Sequence, residues 1–309
     1  MTTLIADIGG TNTRCAVAGV DGPERVARYR NGEYPGIKAL LATYLDDLPA
    51  AMRPSSATLA VAAPIYGEHV KMTNLGWSFR IEALRDELQL DSLQLLNDFE
   101  AQAYALPALS PQELEQIGAG KIDKRAPKGV LGPGTGLGVA TLLPWGKAWL
   151  ALPGEGGHVT MAAGNSREAG LIQAARERYG HCSAERLISG PGLTLVNEIL
   201  HGEADVAPEE IGRRMEASDS AALDSFNTCC KLLGTVAANL ALTVGARGGI
   251  YVTGGILPRH QERFAASGFR QRFEDKGRYG DYLSRVPTFL VTASEPALTG
   301  LWARATVPN

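Results

Sequence analysis

The chain has 309 residues, of which 45% are hydrophobic, and its 30 basic and 33 acidic side chains leave a formal net charge of −3. This length allows two domains with well-packed cores. We find no cluster of basic residues that could bind a phosphate backbone, which argues against a nucleic-acid-binding protein, and we therefore expect small-molecule partners.

Apolar runs and cysteine spacing indicate the compartment. The sequence has no run of about 18 apolar residues, and the first predicted strand starts at Leu4, which leaves no room for a signal peptide. The cysteines lack the spacing of metal ligands. They are Cys15, Cys182, Cys229 and Cys230. These features predict a cytoplasmic protein with packed, reduced thiols and no membrane partner.

The first stretch, residues 4–20, predicts a strand, a glycine-rich turn and a second strand. The turn consists of Gly9, Gly10, Thr11 and Asn12. Because glycine has no Cβ, the N–H groups of such a turn can approach a polyanion, and we predict a phosphate site. Asp7 precedes the turn, where a carboxylate can hold Mg²⁺ directly or through water. The alternative is that Asp7 only braces the turn.

The next segments predict the remaining elements of the first half of the chain. They are a hairpin turn at Asp21-Gly22, a strand over 26–30, a helix over 37–48, a buried strand over 57–63 and a helix over 81–88. An irregular loop is expected over 74–79. Its Asn74 and Trp77 are candidates to line a pocket, although loop structure alone explains them about as well.

Residues 93–106 are the stretch where we expect the chemistry. An apolar strand ends at Leu96, Asn97 and Asp98 follow, and residues 99–106 have helix-forming composition. Ligand crevices in α/β sheets open at the carboxyl ends of strands, so these two polar residues are candidates for catalysis. The alternative is that Asn97 or Asp98 is only a helix N-cap, which is common for both residue types.

A polar segment over 110–129 separates two similar halves, and we place the domain boundary near its start. Residues 130–143 repeat the pattern of strand, glycine turn and strand, with Gly134, Thr135 and Gly136 in the turn. This predicts a second phosphate turn, with an ordinary hairpin as the alternative. Neither turn matches a P-loop or a GxGxxG motif.

The second half continues with further candidate binding residues. Glu155 and His158 flank two glycines, and a carboxylate and an imidazole on one loop can bind vicinal hydroxyls of a sugar. Strand 250–258 runs into Gly254 and Gly255, where a flat ring or a ribose could lie. Helices are expected over 167–179, in one or two pieces over 221–246, and over 296–305. A short segment over 183–188 is expected to end at the glycines of 190–192.

Six segments together resemble bacterial glucokinase of the non-ROK group, within the sugar kinase, heat-shock ATPase and actin superfamily. The segments are Ala6–Arg14, Leu95–Leu106, Gly132–Ala140, Pro153–Val159, Glu185–Leu193 and Val252–Ile256. The resemblance implies an α/β fold of two ribonuclease-H-like (actin-like ATPase) domains with a cleft between them, usually in a homodimer. We expect a small domain over 1–109, completed by a C-terminal helix over 296–309, and a large domain over 110–295.

The resemblance also implies ATP-dependent phosphorylation of D-glucose at its 6-hydroxyl. Asp98 would be the general base. The sugar contacts would be Asn97, Asp98, Glu155, His158 and Glu185. Glu185 reads from the sequence alone as a solvated helix residue. The first two glycine turns would hold the phosphates of ATP, with Mg²⁺ at Asp7, and the third turn would lie by the adenosine.

Two comparisons with related kinases refine these expectations. ROK kinases carry clustered cysteines for zinc, and here only Cys182 follows His158 closely, so structural zinc is not expected. Residues 75–77 are less polar than the resemblance implies, which leaves Asn74 as a weak sugar contact. The alternatives are a kinase for another hexose or phosphate donor, or a non-catalytic sugar-sensing regulator of the same fold.

Overall fold

The computed structural model describes residues 2–72 and 75–306. It divides into two compact units, the first formed by the described residues up to Ser110 and from Ala293 onward, and the second by Pro111–Thr292. Across the described residues, every helix is too short or too polar to cross a bilayer.

The first unit opens with an antiparallel hairpin and continues with alternating strands and helices. Its elements are β1 (Thr3–Ile8), β2 (Asn12–Ala18), β3 (Pro23–Arg30), α1 (Ile37–Asp46), β4 (Ser56–Val61), β5 (His69–Met72), β6 (Trp77–Arg80), α2 (Ile81–Glu87), β7 (Ser92–Asn97) and α3 (Asp98–Ala105). The predicted hairpins, the helix over 37–48 and the strand-to-helix junction at 97–98 are confirmed.

The expectation of an irregular loop over 74–79 is wrong in its second half. Trp77 and Phe79 lie in β6, which pairs with β5 in a two-stranded sheet. Trp77 is buried in the core of the first unit. The alternation of large apolar and polar residues in this short run is a strand signal, which the neighbouring glycine obscured. Asn74 lies outside the described residues.

The main sheet of the first unit has the order β3-β2-β1-β4-β7. β1, β2 and β3 are antiparallel neighbours, whereas β1, β4 and β7 run parallel. The register pairs Ile8 with Val61, and Val61 with Asn97. The carboxyl ends of the three parallel strands therefore lie level with one another at one edge of the sheet.

The second unit contains a second sheet and most of the helices. Its elements are β8 (Leu114–Gln116), β9 (Lys128–Pro133), β10 (Leu137–Trp145), β11 (Ala148–Gly154), α4 (Ser166–Tyr179), α5 (Ala184–Leu187), α6 (Gly190–His201), α7 (Pro208–Glu216), α8 (Ser220–Val244), β12 (Ile250–Val252), α9 (Gln261–Ala265), α10 (Phe269–Glu274), α11 (Gly280–Ser284) and β13 (Thr288–Val291). The segment over 221–246 forms one helix, α8.

Gly190 and Gly192 do not end a segment as expected but begin α6. The Ser189 hydroxyl accepts a hydrogen bond from the Gly192 N–H at 3.0 Å, and Pro191 occupies the first turn of the helix. Proline is favoured there because the N–H it lacks would have no helical partner. A serine N-cap followed by proline was the signal that the glycines obscured.

The second sheet has the order β11-β10-β9-β12-β13-β8, and its first five strands repeat the pattern of the first unit's sheet. β9, β10 and β11 are antiparallel neighbours, and β9, β12 and β13 run parallel. The added β8 is antiparallel to β13. The α/β fold class is therefore confirmed in both units.

The last helix, α12 (Pro296–Thr306), packs on α3 in the first unit. Side chains of β1 alternate between the two faces of the sheet: Leu4 and Ile8 face the core with α1, whereas Ile5 faces α3 and α12. The Trp302 Nε1–H donates to the Gly19 carbonyl at 2.9 Å. The parallel strands β1 and β4 are covered by helices on both faces of the sheet, which explains their nearly continuous apolar sequences.

Candidate active site

The turn between β1 and β2 exposes backbone donors. The Gly9 N–H donates to the Asn12 carbonyl at 3.1 Å and closes the turn. The N–H groups of Gly10 and Thr11 have no hydrogen-bond partner among the described residues. Successive unpaired N–H groups at a tight turn form a site for an anion.

Asp7 lies on β1 opposite Arg14 of β2. One carboxylate oxygen, Oδ2, lies 3.5 Å from Arg14 Nη1, and Arg14 Nε lies 2.5 Å from Glu295 Oε2. Burial raises the pKa of Asp7 to about 6, against the attraction of Arg14 and with the repulsion of Glu295. The sequence did not predict the ion pairs of Arg14, because its partner Glu295 is distant in the chain.

The surroundings of Asp7 fit a Mg²⁺ site whose coordination is completed by the phosphate groups of the substrate. Mg²⁺ is usually bound through one or two carboxylates, with water and substrate phosphate completing its octahedron. In the part of the chain that the structure describes, no three His, Cys, Asp or Glu side chains lie together as a metal-binding group. Asp7, a single carboxylate beside an anion-binding turn, fits a Mg²⁺ site completed by water and phosphate. The described residues form no metal site made only of protein ligands.

The junction of β7 and α3 shows which of Asn97 and Asp98 caps the helix. Asn97 is the N-cap of α3, and its Oδ1 accepts from the Phe99 N–H at 2.9 Å. The Glu100 carboxylate accepts from the Asn97 N–H at 3.3 Å, which completes a capping box. Burial raises the pKa of Glu100. Capping is thus performed by Asn97, and Asp98 is the first residue of the helix, its Oδ1 accepting from Phe99 N–H at 3.0 Å.

The first glycine turn and Asp98 lie along the same edge of the first unit's sheet. Ile8, Val61 and Asn97 are level neighbours on β1, β4 and β7. Adjacent strands are about 4.8 Å apart, so two spacings separate the end of β1 from the end of β7 by roughly 10 Å.

The second turn, between β9 and β10, resembles the first in its free donors. The Gly134 N–H donates to the Gly136 carbonyl, and the Gly190 N–H donates to the Gly134 carbonyl, both at 2.8 Å. The N–H groups of Thr135 and Gly136 have no partner within residues 2–72 and 75–306. Both predicted phosphate turns thus have the same anion-binding character.

Glu185, on α5, lies against this second turn. Its Oε2 accepts a hydrogen bond from the Leu137 N–H at 2.9 Å. A Cβ on Gly136 would lie 2.4 Å from the same oxygen, so only glycine allows the carboxylate to approach this closely. Glu185 is therefore partly buried at the turn, and the expectation from the sequence alone that it is a solvated helix residue is wrong.

Glu155 and His158 lie on the 3₁₀ turn that follows β11. The Glu155 carbonyl accepts from the His158 N–H at 3.0 Å, and His158 Nε2 lies 3.9 Å from Glu155 Oε2. Both side chains are more than half exposed, at 53% and 61%. The turn packs against β10 and α5, and the Val159 carbonyl accepts from Ala184 N–H at 2.9 Å. The second unit thus gathers Glu155, His158 and Glu185 around the start of β10.

A small apolar pocket lies where β9 ends, near the third glycine turn. Pro133 of β9 lines one side, and Ile256 and Leu257, which follow Gly254 and Gly255, line another. Phe226 and Cys229 of α8 contribute further walls.

Asn31 is a buried polar residue at the first turn that the sequence analysis missed. It is 1% exposed, and its Nδ2 donates to the Gly9 carbonyl at 2.8 Å. No motif marks it in the sequence, because its contact with the turn depends on the pairing of β2 with β3.

Comparisons with known proteins give a consistent result over nearly the full chain. A family model described as Glucokinase matches residues 4–307. The glucokinase of Nitrobacter hamburgensis is 44% identical over 96% of this chain and 95% of that protein. The glucokinase of Chromobacterium violaceum is 45% identical over 97% of this chain and 88% of that protein.

A solved structure, that of a glucokinase from an Antarctic psychrotroph, is 34% identical with a TM-score of 0.88 and covers 98% of both chains. The chain therefore belongs to the glucokinase family, which confirms the resemblance inferred from its six segments.

Proposed function

We propose that this chain transfers the γ-phosphoryl group of ATP to the 6-hydroxyl of D-glucose, with Asp98 as the general base. Membership of the glucokinase family supports the reaction. The observation that carries the residue assignment is the common sheet edge of Ile8, Val61 and Asn97. A separation of roughly 10 Å leaves room for a phosphoryl group and an accepting hydroxyl between the turn and the carboxylate.

The two glycine turns supply the phosphate contacts in this proposal. Phosphoryl transfer passes through a loose transition state, so the protein mainly positions groups and stabilises charge on the phosphate oxygens. The unpaired N–H groups of Gly10, Thr11, Thr135 and Gly136 are donors of the required kind. Gly9, Asn12 and Gly134 shape these turns, and Gly254 and Gly255 are proposed to lie by the adenosine.

Asp98 would accept the proton of the 6-hydroxyl as its bond to phosphorus forms. A positioned base typically contributes about 10²- to 10⁴-fold to the rate. Asn97 keeps the carboxylate in place by capping α3, and its amide donates to the Ala63 carbonyl at 3.4 Å. The second amide hydrogen of Asn97 is the group proposed to contact the sugar.

The remaining hydroxyl contacts are assigned to Glu155, His158 and Glu185. The exposed side chains of Glu155 and His158 lie on one short turn, where a carboxylate and an imidazole can bind neighbouring hydroxyls. Glu185 would bind sugar through Oε1, because Oε2 already accepts from the second turn.

Asp7 is the residue proposed to hold Mg²⁺, directly or through water. When bound, Mg²⁺ neutralises charge on the β- and γ-phosphate oxygens. Asp7 lies immediately before the turn, and its buried carboxylate would gain the cationic partner that favours its ionised form. A cytoplasmic location and a homodimer are also proposed, and subcellular fractionation and light scattering test them.

The test is a coupled assay of ADP release across hexoses and donors. Glucose, mannose, fructose and N-acetylglucosamine are combined with ATP, ADP or polyphosphate. We expect the highest kcat/KM for glucose with ATP. A preference for another hexose or donor would assign the site to that reaction, and binding of glucose without turnover would indicate a sugar-sensing protein.

A further inference from the structure

We propose that Asn31 is a positioning residue for the first phosphate turn. It would hold the turn so that backbone N–H groups face the nucleotide. The inference rests on the proposed function, because it assumes that this turn binds the phosphates of ATP. It adds a residue that contacts neither substrate and acts through the backbone.

Asn31 uses each of its polar atoms in hydrogen bonds. Besides the Nδ2 contact to the Gly9 carbonyl at 2.8 Å, its N–H donates to the Thr11 carbonyl at 2.9 Å. Its Oδ1 accepts from the Thr13 hydroxyl at 2.7 Å, and its own carbonyl accepts from the Tyr34 N–H at 3.1 Å. One buried side chain and its backbone thus contact two residues of the turn, Gly9 and Thr11, and Thr13 of β2.

These contacts determine where the donors of the turn point. In a planar trans peptide, the C=O and the N–H of the next residue point in opposite directions. Because Asn31 holds the Gly9 carbonyl, the N–H of Gly10 must point away from Asn31. This N–H lacks a partner among the described residues, so it is available to a ligand on the opposite side.

Two consecutive glycines make an external brace necessary. Glycine explores more backbone conformations than other residues, so the Gly9-Gly10 peptide would rotate readily without support. A donor that is fixed before the ligand arrives stabilises phosphate charge without reorganisation. The second turn is held in a similar way, since the Gly190 N–H donates to the Gly134 carbonyl at 2.8 Å.

The test compares Asn31→Ala and Thr13→Val with the wild-type chain. We expect the KM for ATP and the dissociation constant for ADP to rise about tenfold in Asn31→Ala, because a buried carbonyl loses its donor. We expect a smaller rise of both constants in Thr13→Val. This variant keeps the Asn31 amide that donates to the Gly9 carbonyl, but it removes the hydroxyl that donates to Asn31 Oδ1. The KM for glucose should change less than about twofold, since the sugar contacts are untouched.

Ser225→Ala is the matched control. Ser225 is fully buried and donates to Asn197 Oδ1 at 3.1 Å, and neither residue belongs to a glycine turn. It should lower the melting temperature without changing either KM. If Asn31→Ala does not fold, Thr13→Val, which keeps the size of the side chain, provides the measurement.

Two outcomes are distinguishable. Folded variants that bind ADP as tightly as the wild type would overturn the role of Asn31, whatever the wild type phosphorylates. A wild-type chain that neither binds ADP nor releases it from ATP would overturn the proposed function itself.

Discussion

Replacing Asp7 with asparagine should stabilise the ligand-free protein at neutral pH while impairing catalysis. Burial raises the pKa of Asp7 from 3.8 to about 6, and its side chain is 16% exposed. The folded state therefore binds the proton more tightly than the unfolded state does. The cost of ionising Asp7 begins above the unfolded pKa and is complete above the folded pKa.

The magnitude follows from the pKa shift. A shift of about two units corresponds to about 3 kcal/mol above pH 7, and to about half of that at pH 5. Asp7→Asn should therefore raise the free energy of unfolding most at pH 7.5, less at pH 5, and not at all below pH 3.8. Urea denaturation without ligand at these pH values measures the effect.

Asp123→Asn is the matched control for this experiment. The pKa of Asp123 is lowered by hydrogen bonds from the Arg125 N–H and from Arg247, so its ionised form is favoured. That variant should not be stabilised at pH 7.5. If Asp7→Asn unfolds at the same or lower urea concentration than the wild type at pH 7.5, the ionised Asp7 carboxylate does not destabilise the ligand-free protein. The reasoning from its raised pKa is then wrong.

The other substitutions test single contacts. Glu155→Gln should raise the KM for glucose by about tenfold and leave the KM for ATP unchanged, because a carboxylate accepts hydroxyl bonds more strongly than an amide. Gly136→Ala should raise the KM values for glucose and ATP, because the added Cβ would lie 2.4 Å from Oε2 of Glu185. Gly170→Ala, in open space on a helix, should keep full activity. Gly300→Ala should lower the free energy of unfolding by about 1 to 3 kcal/mol in urea, because its Cβ would meet the Ala101 carbonyl at 1.7 Å.

The strands and turns of the site were predictable because their signals are local. Apolar runs interrupted by glycines located both glycine turns, and the polar residues after Leu96 located the start of α3. The roles of Asn97 and Asp98 were left open, since either residue type can cap a helix. Asn97 is the N-cap of α3, and the catalytic role of Asp98 stays a prediction.

Features that depend on distant contacts were not predictable. Asn31 reaches the first turn only because β2 pairs with β3. Glu185 reaches Leu137 only because α5 packs on the 3₁₀ turn after β11, which itself packs on β10. No short-range pattern in the sequence encodes such approaches. Trp77 shows a different error, because the run predicted as an irregular loop contains a strand whose Trp77 packs in the core.

The most direct test of the account is the activity of Asp98→Asn with ATP and glucose. The substitution keeps the size of the side chain and an oxygen that can accept from the Phe99 N–H, so α3 should still begin at residue 98. We expect kcat to fall by about 10²- to 10⁴-fold, while calorimetric binding of glucose and ADP stays within about threefold of the wild type. A variant that binds both ligands and retains most of its kcat would contradict the assignment of Asp98 as the general base.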